Sequence, residues 1–259
     1  MAQRPAHHPE RYFGRGYYHL YKHYLLPEQQ TNAEVDFLLR ALRPRASQRW
    51  LDAPCGYGRH LKSLSARRSR LRLFGVDLNP GYLREDGLGQ AARLCLCDYR
   101  RLPFAAGSFH VVLNLLNSFG YYPPVGREGL AARDDRAVLG EWARVLKPGG
   151  RLVMDLPNRQ ALIALVARRP LICYRGGGYE ARERFAWDPR TQCLENRTRW
   201  RWPGGEERAR YRFRLYTPAQ IGRMLERAGL ERMAIHGDFN AAAFDPLRSD
   251  QMLVLAGKR

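Results

Sequence analysis

The chain has 259 residues, with 44 basic side chains against 25 acidic ones and a formal net charge of +19. Its 45% apolar and 27% charged residues are the balance of a globular protein and exclude a collagen-like or wholly disordered chain. No apolar run approaches the roughly 20 residues of a membrane-spanning helix, and MAQRPAHHPERYFGRG lacks the apolar stretch of a secretory signal.

Residues 1–10 read as a loose tail, and 11–45 as an aromatic-rich lid followed by a helix. In TNAEVDFLLRALRP, Thr31 is the expected N-cap, with Glu34 three residues on as a capping box. Val35, Leu38, Leu39 and Leu42 then recur at helical spacing, and Pro44 ends the segment. From residue 48, strand and helix alternate. QRWLDAP, LRLFGVDLN, RLCLCDYR, FHVVLNLLNS and RLVMDLPN read as five strands. GYGRHLKSLSARR, GYLREDGLGQAA and DDRAVLGEWARVLKPGG read as the helices between them, the last stopped by Pro148-Gly149-Gly150. Such repetition predicts a doubly wound, mostly parallel α/β sheet.

The pattern changes near residue 171. Residues 179–217 read as about three antiparallel strands, with turns at Asp188-Pro189-Arg190 and Pro203-Gly204-Gly205. Trp200 and Trp202 alternate there with Arg199 and Arg201. TPAQIGRMLERAGL is a helix with Thr217 as N-cap and Pro218 at its first position. ERMAIHGDFN and DQMLVLAGKR complete a seven-stranded main sheet. The expected organisation is a tail and lid over 1–45, a core over 46–170, an inserted antiparallel unit over 171–216 and a return to the core over 217–259. The inserted unit serves as an acceptor lid or as a dimer contact, so the chain is expected as a monomer or homodimer.

Charge and cysteines set the context. Of the 44 basic residues, 40 are Arg and 4 are Lys. A GC-rich coding sequence produces that skew by itself, and the arginines are spread along the chain; an anionic partner is the other reading. Cys55, Cys95, Cys97, Cys173 and Cys193 are few, odd in number and scattered, which suits a reducing cytosol. No group of His, Asp and Glu has metal-ligand spacing, so no metal is expected.

The chemistry concentrates at successive strand ends. Leu51-Asp52-Ala53-Pro54-Cys55-Gly56-Tyr57-Gly58-Arg59-His60 lies where the first strand turns into a helix, the ligand crevice of open parallel sheets. Gly56 and Gly58 permit a sharp turn and close approach of a ligand. Leu61 breaks the dinucleotide G-x-G-x-x-G pattern, and no Gly-Lys-Ser/Thr follows as in a phosphate loop. Asp52 at the strand tip suits a cationic ligand group. Asp77 ends the second strand, 19 residues after Gly58, where a carboxylate accepts from a ribose diol. Asp98-Tyr99 ends the third and is placed for an adenine amino group and ring.

This constellation resembles the class I S-adenosylmethionine-dependent methyltransferases over residues 48–160, with Asn114 after strand four and Leu146-Lys147-Pro148-Gly149-Gly150-Arg151-Leu152 before strand five. The 51–60 stretch, Asn117-Ser118-Phe119-Gly120-Tyr121, Arg214-Leu215-Tyr216-Thr217 and Gly237-Asp238-Phe239 look similar to a bacterial small-molecule subgroup. Pro54 stands where many members have glycine. The resemblance implies a Rossmann-like core, with S-adenosyl-L-methionine as cofactor and S-adenosyl-L-homocysteine as product. It implies that Asp52, Ala53, Gly56 and Gly58 line the methionine part of the cofactor. Asp77 would take the ribose with Leu78 beside the adenine, Asp98 and Tyr99 the adenine edge, and Asn114 and Leu115 the sulfonium. Arg59 reaches a carboxylate or makes a structural ion pair.

For the acceptor, Tyr21, Asn117, Phe119, Tyr121 and Tyr216 are the candidate contacts. His19, His23, Tyr21 and Tyr121 are the candidate bases, needed only where the nucleophile arrives protonated. The expected reaction is in-line transfer to N or O of a small molecule or short peptide. A nucleic-acid acceptor is the alternative that the charge suggests, although Asn114-Leu115-Leu116-Asn117 is not the Asn-Pro-Pro-aromatic motif of base methylation.

Overall fold

The computed structural model describes residues 13–121 and 128–259. Among these, the first strands are β1 (Arg49–Asp52), β2 (Arg72–Asp77), β3 (Arg93–Leu96), β4 (Phe109–Asn114) and β5 (Leu146–Pro157). Then follow β6 (Leu171–Gly176), β7 (Tyr179–Asp188), β8 (Cys193–Trp202), β9 (Gly205–Arg214), β10 (Leu230–His236) and β11 (Gln251–Lys258). The helices are α1 (Arg15–Leu20), α2 (Glu28–Leu42), α3 (Arg59–Arg67), α4 (Leu88–Ala91), α5 (Glu128–Val145), α6 (Arg159–Arg168) and α7 (Pro218–Arg227).

Seven strands form the main sheet in the order β10-β11-β5-β4-β1-β2-β3. β3, β2, β1, β4 and β5 run parallel, and β11 is the reversed strand between β5 and β10. The chain winds from β1 outward through β2 to β3, then crosses back to place β4 on the other side of β1. That reversal opens the crevice at the strand ends. Successive residues of a strand face opposite sides, and the buried residues sort accordingly. Leu51, Val112 and Val254 pack with Trp142 of α5 and Ile221 of α7. Trp50, Val111 and Leu253 pack with Val35 and Leu38 of α2 and Leu61 and Leu64 of α3.

β6, β7, β8 and β9 form a separate antiparallel sheet. It has four strands where about three were expected. β6 escapes a period-two reading because Leu171, Ile172 and Cys173 are consecutive apolar residues. The inner face of this sheet carries Trp200, Tyr211 and Phe213, which pack on Tyr17 and Leu20 of α1. Gly16 makes the contact close: a Cβ there would stand 2.7 Å from the Trp200 ring. Its N–H donates to Glu207 Oε2 at 2.7 Å, and the Tyr179 hydroxyl donates to its carbonyl. The inserted sheet thus holds α1 in place.

The helix start expected at Thr31 is corrected. α2 begins at Glu28 with Pro27 as N-cap, so Thr31 and Glu34 lie inside the helix. Their side chains are engaged by Arg59 and His60 instead of by the helix backbone. Thr217, by contrast, forms a full capping box with Gln220.

Gly120 joins the two sheets. At φ +92°, its Cβ position lies 2.7 Å from the Arg214 carbonyl, while its own carbonyl accepts from Arg214 N at 3.0 Å. Gly120→Ala is expected to cost about 1–3 kcal/mol through backbone strain. Urea unfolding reads this directly, and an unchanged midpoint would refute it.

Candidate active site

The residues from Pro54 to Gly58 form the turn between β1 and α3. Gly56 and Gly58 adopt φ of +55° and +74°, the left-handed region that glycine enters without strain. The turn is tied to β2: Cys55 N donates to Val76 O at 2.8 Å, and Gly56 N donates to Asp77 Oδ2 at 2.9 Å. Asp77 Oδ1 accepts from Asn79 N at 2.8 Å. Burial raises the Asp77 pKa, and these backbone donors work against that rise. A carboxylate has about four acceptor sites; the backbone N–H groups of Gly56, Asn79 and Leu78 engage up to three, and capacity for at least one more donor remains.

Above the turn is a cleft of about 880 Å³, its open mouth included. Pro54, Cys55 and Gly56 form its floor, with Asp77, Leu78 and Asn79 beside them. Tyr99, Leu115, Leu116 and Ser118 close a further side, and Phe13, Tyr17, Tyr57, Tyr82 and Tyr121 give it an aromatic wall. The wall is one connected set. Tyr17 stacks on Tyr21 at 4.0 Å and Phe13 meets Tyr121 at 5.4 Å, while Tyr121 stacks on Phe213 of the inserted sheet at 5.3 Å. The hydroxyls of Tyr57 and Tyr82 are buried without a hydrogen-bond partner among the described residues.

Behind the cleft lies a polar core. Glu34 pairs with Arg59 at 2.5 Å and with His60 at 2.6 Å, and Arg59 also donates to Thr31. These partners outweigh burial and hold Glu34 down at about 2. Burial and the Arg59 charge push His60 down to about 4, so it is neutral at physiological pH. Asp52 is 1% exposed, neither of its oxygens has a described partner, and burial pushes it up to about 8. Asp155 is also buried, and burial raises it to about 7.

Asp155 shapes the loop after β4. Its Oδ2 accepts from Leu116 N at 3.0 Å and its carbonyl from Asn117 N at 3.1 Å. Leu116 and Asn117 are both held at positive φ, 54° and 55°. Strained backbone of this kind is kept at ligand sites when surrounding contacts enforce it. Asn114 donates from Nδ2 to the Ala53 carbonyl at 2.9 Å, and its Oδ1 lacks a described partner.

The sequence-derived candidates are unevenly placed around this cleft. Asp98, like the buried Asp52, Ala53 and Asn114, does not line the cleft, and its carboxylate is held by Arg100 through Nε at 2.8 Å and Nη2 at 2.6 Å. Gly58 is needed for packing, since its Cβ position is filled by Leu88. Phe119 is 1% exposed against Trp142 and Tyr216, and the Tyr216 hydroxyl donates to buried Asp135, so both are core residues and not acceptor contacts. Asn117 lies beside the cleft without lining it. His19 is exposed near Tyr179, and Tyr21 sits behind Tyr17; neither lines the cleft. The His23 side chain lies outside the described residues. Tyr99 and Tyr121 do line the cleft, and Tyr99 donates to Ser118 O at 3.1 Å. Sequence reading missed Asp155, Tyr57 and Tyr82. Asp155 had a signal, a carboxylate inside the apolar run Leu152-Val153-Met154-Asp155-Leu156.

Residues 51–154 match the family model described as a methyltransferase domain. No curated protein matches the sequence. Among solved structures, the CcbJ methyltransferase of Streptomyces caelestis superposes with a TM-score of 0.76 at 18% identity, over 97% of this chain and 100% of its own. An S-adenosylmethionine-dependent methyltransferase of Clostridium acetobutylicum gives 0.76 at 14% identity, over 93% and 97%. CalS10 of Micromonospora echinaspora, an amino pentose methyltransferase with S-adenosylmethionine bound, gives 0.65 at 20% identity, over 95% and 98%. These likenesses establish the fold. The family match lies over the glycine turn and the β4 loop that floor the cleft, so residues 51–154 carry the methyltransferase-domain pattern on a fold shared with S-adenosylmethionine-dependent methyltransferases.

Proposed function

We propose that the enzyme methylates a nitrogen of a small-molecule acceptor, with oxygen as the second choice. The observation that carries this reading is the cleft at the β1–α3 turn, with an aromatic wall and with Asp77 and Arg59 among its lining residues. The residues fit the cofactor. Asp77 has spare acceptor capacity for a ribose diol, and Leu78, Tyr99 and Leu115 offer surface for adenine. Asp52 is an uncompensated buried carboxylate suited to the methionine ammonium. Arg59 lines the cleft and suits the methionine carboxylate. When bound, S-adenosylmethionine supplies a methyl group on a sulfonium that is already a good leaving group. The chain contributes placement and exclusion of water.

Nitrogen is favoured because the cleft has no free base among the described residues. His60 is committed to Glu34, and burial raises the hydroxyl pKa of Tyr17, Tyr57, Tyr82 and Tyr121. A neutral amine needs no base to attack. The aromatic wall also stabilises the cationic product. The amino pentose methyltransferase CalS10 and the sugar N-methyltransferase KedS8 have the same fold, and the latter superposes with a TM-score of 0.65. The test is methyl transfer to paired amino sugars and hydroxy sugars, read by mass. The amine should turn over, with a rate that climbs with pH as it loses its proton. Turnover of hydroxyl acceptors alone, or of RNA alone, would overturn the reading.

A further inference from the structure

The outer face of the inserted sheet carries a second ordered feature. Pairing registers place Arg184, Arg197 and Arg210 directly opposite one another across β7, β8 and β9, and Arg182, Arg199 and Arg208 in the neighbouring row. Rows on one face of a sheet are ~7 Å apart and strands ~4.8 Å. Six guanidinium groups therefore stand on a frame of about 10 by 7 Å. They border a shallow, open depression on this face. Like charges directly opposite one another destabilise a sheet, so coding bias alone does not account for two such rows in register.

Acidic residues relieve only part of this charge. Including Arg175 and Arg201, seven arginines share Glu180, Glu195 and Glu206, and Arg184 brings the excess to five positive charges. Arg184, in the row centred on β8, has no ion pair among the described residues and is exposed.

We propose that this face binds the phosphodiester backbone of a nucleic acid. Guanidinium groups take phosphates bidentately. The two rows carry no aromatic residue, so the face has nothing on which to stack bases and reads charge alone. A protein partner fits poorly, because the centre of a protein interface is depleted in charge and rich in aromatic residues. A second copy of the chain fits worse, since a two-fold contact here sets arginine against arginine. The face is also the reverse of the one that packs on the lid. A nucleic acid held there is a docking partner and not the methyl acceptor, so the proposal stands apart from the acceptor reading.

Fluorescence polarisation with a labelled 20-bp DNA duplex, between 50 and 300 mM NaCl, tests it. Six phosphate contacts give a slope of log K against log salt of about −5. The triple variant Arg184→Ala, Arg197→Ala, Arg210→Ala should lower that slope by about 3 and weaken binding at least tenfold at 100 mM salt. The corresponding triple Lys variant should retain the slope, and both should bind S-adenosylmethionine normally. The control Arg223→Ala, Arg227→Ala, Arg232→Ala removes the same charge from exposed positions on α7 and β10. An equal loss in the control would reduce the effect to net charge and overturn the proposal. Competition by polyglutamate as strong as by unlabelled duplex would overturn it in favour of an acidic polypeptide.

Discussion

Asp77→Ala is expected to raise the dissociation constant for S-adenosylmethionine by roughly 10²–10⁴-fold, through the loss of charge-assisted hydrogen bonds worth about 1.5–3 kcal/mol each. Two losses combine. The carboxylate that would hold the ribose is gone, and so is the acceptor that anchors Gly56 N at 2.9 Å and Asn79 N at 2.8 Å. Asp77→Asn separates them. An amide keeps one oxygen for one of the backbone donors but presents an NH₂ where the other is needed, so its loss should fall between wild type and alanine. Calorimetry with S-adenosylmethionine and S-adenosylhomocysteine measures both, and the two ligands should weaken together because they share the ribose. An affinity for Asp77→Ala within threefold of wild type would remove Asp77 from the cofactor site.

The succession of strands along the chain and the place of the crevice were legible because they follow from short-range pattern. Apolar strands that end in Asp52, Asp77 and Asn114, each followed by a turn, announce a parallel sheet with its polar groups at one edge. Side-chain destinations were less legible, because they depend on which neighbour, near or far in sequence, captures each group. Asp98 has the right position for adenine, but Arg100 two residues on captures its carboxylate. Thr31 and Glu34 have the spacing of a capping box, but Arg59 and His60, more than 20 residues away, claim both side chains. Phe119 and Tyr216 follow strands near the crevice, yet Trp142 and Asp135 draw them into the core. Arginine scattered along a sequence also gives no sign of rows, which appear only when β7, β8 and β9 come into register.

The second large effect concerns protons. Asp52 has no described hydrogen-bond partner, and burial holds its pKa at about 8, against about 3.9 in an unfolded chain. The native state therefore binds the extra proton between pH 4 and 8, and this residue lowers the stability of the free enzyme as pH rises through that window. Asp155, raised to about 7, acts in the same direction up to its own pKa. A cofactor ammonium bound beside Asp52, as proposed, would reverse the preference and take the proton off. At pH 7, where a group of pKa about 8 is mostly protonated, binding should release about 0.9 proton from Asp52. Titrations in phosphate and in Tris at that pH convert the release into a difference in apparent enthalpy. Asp52→Asn should abolish this share of the release and weaken cofactor binding by roughly 10–150-fold, the loss of one charged hydrogen bond. The same substitution should raise the melting temperature of the free enzyme at pH 8.5, because a neutral amide is cheaper to bury than a carboxylate. Wild-type proton release and affinity in Asp52→Asn would assign the ammonium to another group and leave Asp52 as a buried acid without a ligand.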